Sequence, residues 1–326
     1  MGGAAVLTGG DFSQANFMGA SMKGAIVEAC SCSSSFTRTL LSRADLSDAH
    51  FGGSLNATLA DLSFANLQGS TFSGGDEPSG SNHWDRTGIW VQANFTGANL
   101  KKAKFTLLFS QRYHRMSLNF SMANFAGADM QGSRIQMLPN DLSTWFDVRD
   151  NSKRFNGMAS FENTVFDGAN MAEMSMKLAG EEVSAEVGRM STGTSISIVR
   201  YVVQLVVSFC GASFMGTNLT SAFFQGGVFD NLAGADLKQA KFEQTLFLPS
   251  TSFNRALLED TVFQECFVVL PAFVSHLKKI FSSGYSSPYF IEGNVDPWSS
   301  YIRPLQLTDL AGSLQTEKAI LIPSNA

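Results

Sequence analysis

Charge, histidine and cysteine are all scarce in this sequence, and each scarcity excludes a class of protein. Charged residues make up 16% of the 326 residues and the net charge is −5, so the basic footprint of a nucleic-acid-binding protein is absent. The four histidines, His50, His83, His114 and His276, are scattered and lack the spacing of metal ligands. Four cysteines do not suggest a disulfide framework in a chain this long. We therefore expect no metal, no cofactor and no direct nucleic-acid partner.

Motifs of catalysis and membrane insertion are missing as well. The sequence has no Gly-x-Ser-x-Gly nucleophile elbow and no Gly-Lys-Ser/Thr phosphate loop, and no acid–base pair stands out. The apolar run at residues 196–209 is too short to span a membrane and contains Arg200 and Gln204. The first ten residues lack a basic signal region, although a chain whose leader had been removed would look the same. These absences predict a soluble protein without enzymatic activity, in the cytoplasm or in an organelle lumen after leader removal.

Phenylalanine and a five-residue repeat are what the sequence has in abundance. It contains 28 Phe against 5 Tyr and 4 Trp, which fits a dry interior that needs rings without a polar atom. Much of the chain repeats Ala-Asn or Ala-Asp, then Phe or Leu, then two small or polar residues. The clearest copies begin at Ala15, Ala44, Ala65, Ala93 and Ala235.

A period of five predicts a coil rather than a helix or a flat strand. Over five residues a helix turns about 500°, so a large residue repeated every five would drift around its surface. A chain that turns a corner every five residues instead returns each large residue to the inside. Four sides close one coil, and coils stack at the strand spacing of about 4.8 Å. The Phe or Leu then points inward, the Ala two positions earlier points inward where space is narrow, and the Asn or Asp points out.

This pattern resembles the pentapeptide-repeat family, and the resemblance covers about two-thirds of the chain. It implies an all-β fold, a right-handed quadrilateral β-helix. The roughly 33 recognisable repeats, at four per coil, predict about eight coils and a rod of about 40 Å. We expect the β-helix to span residues 1–268, with insertions at about 75–91, 106–117, 136–158 and 177–208. Residues 196–209 are either a degenerate coil or an element at a subunit interface.

The last part of the chain, residues 269–326, does not follow the repeat. The sequence from Pro271 to Phe281 has helical spacing of apolar residues, with a Pro suited to a first turn. It predicts a helix that caps the open end of the β-helix. Beyond it we expect an irregular tail, rich in Pro and aromatic residues, that packs along the rod or onto a partner.

Large aromatic residues and arginines within the insertions and the tail are the candidate partner contacts, because these residue types dominate interface energetics. The candidates are Trp84, Trp90, Tyr113, Arg115, Trp145, Tyr201, Trp298 and Tyr301.

Three functions fit this reading of the sequence. The first is a non-enzymatic scaffold that binds other protein subunits of a larger assembly through its loops and tail. The resemblance also suggests topoisomerase protection by DNA mimicry, known among quinolone-resistance members, although outward positions here are more often neutral than acidic and Lys104 and Lys241 occupy two of them. The third is a secreted effector. A hydrolase or lyase of the kind some β-helices host is the least supported, because no catalytic pair is evident.

Overall fold

The computed structural model describes residues 5–28, 34–73, 88–108, 118–138, 159–177, 207–243, 245–271, 302–314 and 316–323. Within them the chain forms a four-sided coil, and two of the sides are β-sheets. The long sheet has eleven strands in the order β1 (Val6–Thr8), β2 (Ile26–Glu28), β3 (His50–Gly52), β4 (Thr71–Ser73), β6 (Lys104–Leu108), β8 (Arg134–Leu138), β10 (Ser175–Lys177), β12 (Phe223–Gln225), β14 (Lys241–Glu243), β16 (Val262–Gln264) and β19 (Ile320–Ile322). The short sheet has eight strands in the order β5 (Gly88–Ile89), β7 (Leu118–Asn119), β9 (Ala159–Ser160), β11 (Val207–Phe209), β13 (Val228–Asn231), β15 (Leu246–Ser252), β17 (Phe267–Val269) and β18 (Ile302–Pro304).

The other two sides are columns of single parallel bridges between stacked coils, because each side there is too short to count as a strand. The first bridge column follows the short sheet along the chain and contains Asn16, Leu40, Asp61, Asn94, Asn124, Val165 and Ser213. The second bridge column precedes the long sheet and contains Ser21, Asp45, Asn66, Asn99, Asp129, Asn170, Asn218, Asp236, Leu257 and Leu314. These residues hold the outward position of the repeat, as the sequence predicts.

The interior is built from the large residue of each repeat, stacked one coil above the next. In the long sheet Phe51 lies 5.1 Å from Phe72, and Phe72 lies 5.1 Å from Phe105, measured between ring centroids, with both pairs nearly parallel. In the first bridge column the rings of Phe95 and Phe125 are 4.5 Å apart. The rings therefore stack at close to the coil spacing, and offset stacking adds to the free energy gained by burying them.

The all-β, four-sided repeat fold predicted from the sequence is confirmed. The rod is longer than the predicted eight coils, because the eleven strands of the long sheet span about 48 Å at the usual strand spacing. Its first strand, β1, and its last, β19, lie outside the repeats counted in the sequence analysis.

The C-terminal tail differs from the prediction of an irregular segment. Strand β18 pairs antiparallel with β17, and β19 pairs parallel with β16, so residues 302–323 add a last layer to both sheets. Two short 3-10 helices, Leu307–Leu310 and Thr316–Lys318, lie between these strands. Leu305 and Leu310 are buried against the open end of the lumen. Pro271 has helical backbone, and the rest of the predicted capping helix lies outside the described residues.

Candidate functional site

Almost all of the long interruptions of the described rod fall at the same place. After each of β4, β6, β8 and β10 a long stretch of sequence precedes the next strand of the short sheet, at residues 74–87, 109–117, 139–158 and 178–206. These four strands are direct neighbours in the long sheet. Their departure points are therefore stacked about 4.8 Å apart along the corner between the two sheets. We call this corner, with its last described residues Ser73, Leu108, Leu138 and Lys177, the insertion edge.

Closing the coil at this corner requires very few residues. After β12 the chain passes from the long sheet to the short sheet through Gly226 and Gly227 alone, both with positive φ, at 77° and 89°. After β16 the same step takes Glu265 and Cys266. The fold therefore does not need the longer segments that four successive coils carry at this edge.

The base of the insertion edge is extended β-structure. Strands β6 and β8 are five residues long, and their pairing continues through Leu107 with Met137 and Leu108 with Leu138. The predicted insertion boundaries shift accordingly: residues 88–91, 106–108 and 136–138 belong to the rod, and so do Lys177 and Val207–Ser208. The end of the apolar run at 196–209 is thus a coil strand, β11, while residues 196–206 lie outside the described residues.

Most of the candidate contact residues belong to these segments. Trp84, Tyr113, Arg115, Trp145 and Tyr201 fall within the four ranges that leave the insertion edge, and they lie outside the described residues. Trp298 and Tyr301 lie in residues 272–301, which are also outside them. These seven residues remain predictions as contacts.

Trp90 is not an exposed contact, contrary to the prediction. Its side chain is 2% exposed, and it takes the large inward position that follows Ile89 of β5. The indole packs parallel to Phe120, with ring centroids 5.9 Å apart, and edge-on to Phe72 at 5.1 Å. The neighbouring coil places the small Ala57 at the equivalent position, which leaves room for the larger ring. Trp90 is therefore a core residue.

The second bridge column presents hydrogen-bonded amides and carboxylates. In the second column the Asn66 side chain donates to Asp45 at 3.0 Å, and the Asn99 side chain donates to Asn66 at 3.0 Å. Bonds from the Ser47 hydroxyl and backbone N–H lower the pKa of Asp45 from its usual value, so this carboxylate stays ionised. Such a ladder ties adjacent coils together.

Neither the buried thiol of Cys266 nor the described ligand-type residues form a reactive centre. Burial raises the pKa of Cys266 to about 12, which makes its thiol a poor nucleophile at neutral pH. Within the described ranges no group of three or more His, Cys, Asp or Glu is placed to hold a metal ion. In the same part of the chain no helix is long and apolar enough to cross a bilayer.

The exterior of the long sheet carries a group of basic residues that the sequence analysis missed. Lys104, Arg134 and Lys177 stand on the successive strands β6, β8 and β10. Because insertions of different length separate them, their alignment is visible only once the coils are counted through each insertion.

Comparison with known proteins gives a family match and several structural matches. The model for pentapeptide repeats matches residues 3–31 and 34–74, in 8 copies. HetL, a pentapeptide repeat protein involved in heterocyst differentiation regulation from the cyanobacterium Nostoc, is 17% identical, and the match covers 81% of this chain and 91% of HetL at a TM-score of 0.26. Full-length QnrB1, a plasmid-mediated fluoroquinolone resistance protein, is 17% identical over 85% of this chain and 97% of QnrB1, with a TM-score of 0.26.

A pentapeptide repeat protein from the thylakoid lumen of Arabidopsis thaliana is 15% identical, over 54% of this chain and 75% of that protein, with a TM-score of 0.13. Among curated protein sequences, none matches the chain. The family match rests on the N-terminal coils, and the same inward and outward positions recur in the coils that follow them. The chain therefore contains pentapeptide repeats, which are matched in sequence at residues 3–31 and 34–74 and stack as four-sided coils in the described ranges.

Proposed function

We propose that this protein is a non-enzymatic scaffold, a structural or accessory subunit that binds other protein subunits through its insertion edge and C-terminal segment. The observation that carries the proposal is the departure of four long segments from four adjacent strands at one corner. Insertions in a solenoid are typical of its binding face, because each coil contacts only its neighbours and leaves that face free.

The energetics of the coil support this reading. Two residues suffice to close the corner after β12 and after β16, so the longer segments contribute nothing that closure requires. Ordering each additional residue costs about 1–2 kcal/mol of backbone entropy. Segments carrying Trp84, Tyr113, Arg115, Trp145 and Tyr201 supply residue types that anchor interfaces. A partner that binds several segments at once would offset that cost.

DNA mimicry is less well supported by the surface. A mimic needs rows of carboxylates spaced like phosphates. In the second bridge column Asn66, Asn99, Asn170 and Asn218 interrupt the aspartates, and their amides bond to neighbouring side chains along the column. The long sheet adds cations of the opposite sign. We therefore place topoisomerase protection, and a secreted effector, below the scaffold.

The test replaces the segments without disturbing the coils. In four variants the residues 74–87, 109–117, 139–158 or 178–206 are each replaced by a one- or two-residue glycine connection like that of Gly226 and Gly227. Each variant and the wild type are tagged, expressed in native cells and gently purified, and co-purifying proteins are identified by mass spectrometry. Circular dichroism and the thermal midpoint report whether the rod remains folded.

We expect the wild type to recover a fixed set of proteins and at least one folded variant to lose it. Recovery of the same set by all four folded variants would contradict binding at the insertion edge. Recovery of gyrase or topoisomerase IV as the dominant partner would favour DNA mimicry instead.

A further inference from the structure

The exterior of the long sheet carries a cationic strip, defined here as Lys102, Lys104, Arg134 and Lys177. Lys104 and Arg134 are direct partners across β6 and β8, and Lys177 follows on β10 beside Gln136. Lys102 lies at the corner two residues before Lys104. All four residues are exposed. At about 4.8 Å per strand, the step from Lys104 to Lys177 along the rod is about 10 Å.

Among the described residues no carboxylate forms an ion pair with this strip, although the exposed Glu173 lies at the corner two residues before β10. The strands β3, β4, β6, β8, β10 and β12 carry no Asp or Glu. The long-sheet carboxylates nearest the two ends are already engaged, Glu28 with His50 at 3.3 Å and Glu243 with Lys241 at 2.8 Å. Within the described ranges none of the four cations of the strip forms an ion pair. In the described part of the rod their mutual repulsion is therefore not relieved by an ion pair.

Several other lysines of the rod do have an acidic partner. These pairs are Lys23 with Asp48, Lys101 with Asp129, Lys238 with Asp236, and Lys318 with Glu259. The exposed Arg38, Arg43 and Arg255 form no ion pair in the described ranges either, so the strip differs from them in having its cations on adjacent strands. Lys101 and Lys102 are consecutive, yet only Lys101 is paired within the described part of the chain. Lysine side chains beside the second bridge column are thus paired with carboxylates, whereas the cations at the centre of the long sheet are not.

An aromatic ring holds the end of the strip that is nearest the C-terminal coils. The Nζ atom of Lys177 lies 5.8 Å from the centroid of the Phe223 ring, and that of Lys241 lies 5.6 Å from the same centroid. Cation–π contacts of this kind are worth about 0.5–1 kcal/mol at exposed sites. Phe223 therefore restrains Lys177 on the sheet, beside the insertion edge that this lysine borders.

We propose that the cationic strip binds a short acidic segment of the protein partner, an inference that rests on the proposed scaffold function. The strip is continuous with the insertion edge, because Lys177 is the last residue before segment 178–206 and β6 and β8 extend into that edge. An extended peptide places side chains of one face about 6.7 Å apart, so two or three carboxylates span the strip.

A nucleic acid fits the strip less well. Tight binding of nucleic acid commonly involves about 6–10 phosphate contacts, more than four cations supply. The chain has a net charge of −5, which opposes a long polyanion while leaving a short acidic segment able to dock locally. The observations therefore favour a protein segment.

The test uses a fluorescein-labelled decapeptide of glutamate and the full chain, with binding followed by fluorescence anisotropy. The strip variant is K104E/R134E/K177E. The matched control is K23E/R38E/R43E, which makes the same charge change at exposed residues in the first coils, away from the strip. Thermal midpoints of both variants establish that they fold.

We expect the wild type and the control variant to bind the peptide at low salt, and the strip variant to bind at least about tenfold more weakly. Raising the ionic strength to about 0.5 M should abolish binding, because exposed charges are screened. Equal loss in both variants would overturn the proposal, since only net charge would matter. So would an absence of binding to the wild type at low salt. If oligo(dT) or phosphatidylserine vesicles bound through the same residues more strongly than the glutamate peptide, the proposal of an acidic protein segment would be overturned in favour of that ligand.

Failure of this inference can be separated from failure of the scaffold function. The strip variant keeps every segment of the insertion edge. It is therefore tagged and purified in the same co-purification experiment as the four segment replacements. Loss of the partner in the strip variant supports the acidic segment. Retention of the partner by the strip variant, together with its loss in a segment replacement, would overturn the strip and leave the scaffold standing.

Discussion

Hydroxyl groups at the small inward position of the repeat differ in whether they find an acceptor. Thr217 and Thr261 donate to backbone carbonyls of the neighbouring coil, at 2.7 Å to Phe166 and 2.8 Å to Leu237. Ser70 and Ser133 occupy the same kind of position, but in the described residues their hydroxyl oxygens have no hydrogen-bond partner. The two Thr hydroxyls therefore bond across the coil spacing, whereas these two Ser hydroxyls do not.

Removing the two kinds of hydroxyl should change the stability of the protein in opposite directions. We expect Thr217→Val to destabilise the protein by about 1 kcal/mol, since it deletes a buried hydrogen bond while keeping the shape. Ser70→Ala and Ser133→Ala should leave stability unchanged or raise it, because burying an unpartnered hydroxyl is unfavourable. Urea unfolding midpoints test this. A loss for Ser70→Ala as large as that for Thr217→Val would show that the serine hydroxyl does have a partner.

Trp90 and Ala57 form a size-matched pair in adjacent coils. Trp90→Ala should cost about 3–5 kcal/mol, because the cavity removes contacts with Phe51, Phe72 and Phe120. Ala57→Leu alone should also destabilise, by about 1–3 kcal/mol of overpacking, but less so when combined with Trp90→Leu. Urea unfolding of the two single variants and the double variant measures the coupling. Additive effects, or a Trp90→Ala cost no greater than that of the exposed Leu59→Ala, would contradict the assignment of Trp90 to the core.

The sequence could predict most inward residues but not Trp90. Phe95, Phe125 and Leu46 follow an Ala two positions earlier and an Asn or Asp one position earlier, and all are buried. Trp90 follows Gly88 and Ile89, which break that pattern at the end of an insertion. A Trp next to a polar, turn-forming stretch is typical of an exposed anchor. Only the pairing of β5 with β7 establishes that the coil has already resumed.

The C-terminal cap is the element that the sequence indicated least. Strand β18 is tied to the 3-10 helix Leu307–Leu310 by the Arg303 guanidinium, which donates to both oxygens of Asp309. No repeat precedes Leu305 or Leu310, and the segment reaches its place through pairing with β17 and β16, far away along the chain. A five-residue pattern carries no information about such long-range pairing, so the cap could be predicted as a covering of the rod end but not as strands.

Lowering the pH should destabilise this C-terminal cap. The Arg303 guanidinium holds the pKa of the Asp309 carboxyl below its usual value, so the unfolded chain binds a proton there more readily than the folded one. The resulting stability is complete above the usual Asp pKa of 3.8 and is lost as the pH falls through the lower folded-state value. We expect Asp309→Asn to lower the thermal midpoint at pH 7 and to lose less stability than wild type between pH 5 and pH 2.

The comparison with Asp309→Asn needs a control, because other carboxylates titrate in the same range. Asp260→Asn removes an exposed carboxylate for which the described residues show no ion pair. Its thermal midpoint should fall with acid in parallel with the wild type. If the thermal midpoint of Asp309→Asn also fell with acid in parallel with that of the wild type, the Arg303–Asp309 pair would contribute nothing to the acid response.

The rod as a whole behaves as a stack in which each coil contacts only its neighbours. The insertion edge is a property of that stack. It arises because segments that begin 30 residues or more apart in the chain all follow a long-sheet strand. From sequence, each insertion was predictable as a break in the repeat, but their common corner depends on the number of sides completed between them. If one side of a coil were missed when the repeats are counted, the segment would be predicted at a different corner.

A stack of this kind should exchange amide hydrogens from its uncovered end. In the described residues β1 pairs only with β2, whereas the final repeat coil is covered by β18 and β19. We expect amides in residues 5–28 to exchange fastest, those in 94–108 and 118–130 slowest, and those in 246–268 to resemble the centre. Hydrogen exchange with mass spectrometry measures this gradient. Such opening is expected where inter-coil contacts are fewest.

Removing residues 302–326 should change the gradient of amide hydrogen exchange at one end of the rod only. Without β18 and β19 the buried rings of Phe253 and Phe263 would lie at an open end, so protection of 246–268 should fall towards that of 5–28. The centre should keep its protection, because its neighbouring coils are unchanged. Loss of protection throughout the rod would show instead that the coils unfold as a single cooperative unit, and the cap would then determine the stability of every coil rather than of its neighbours alone.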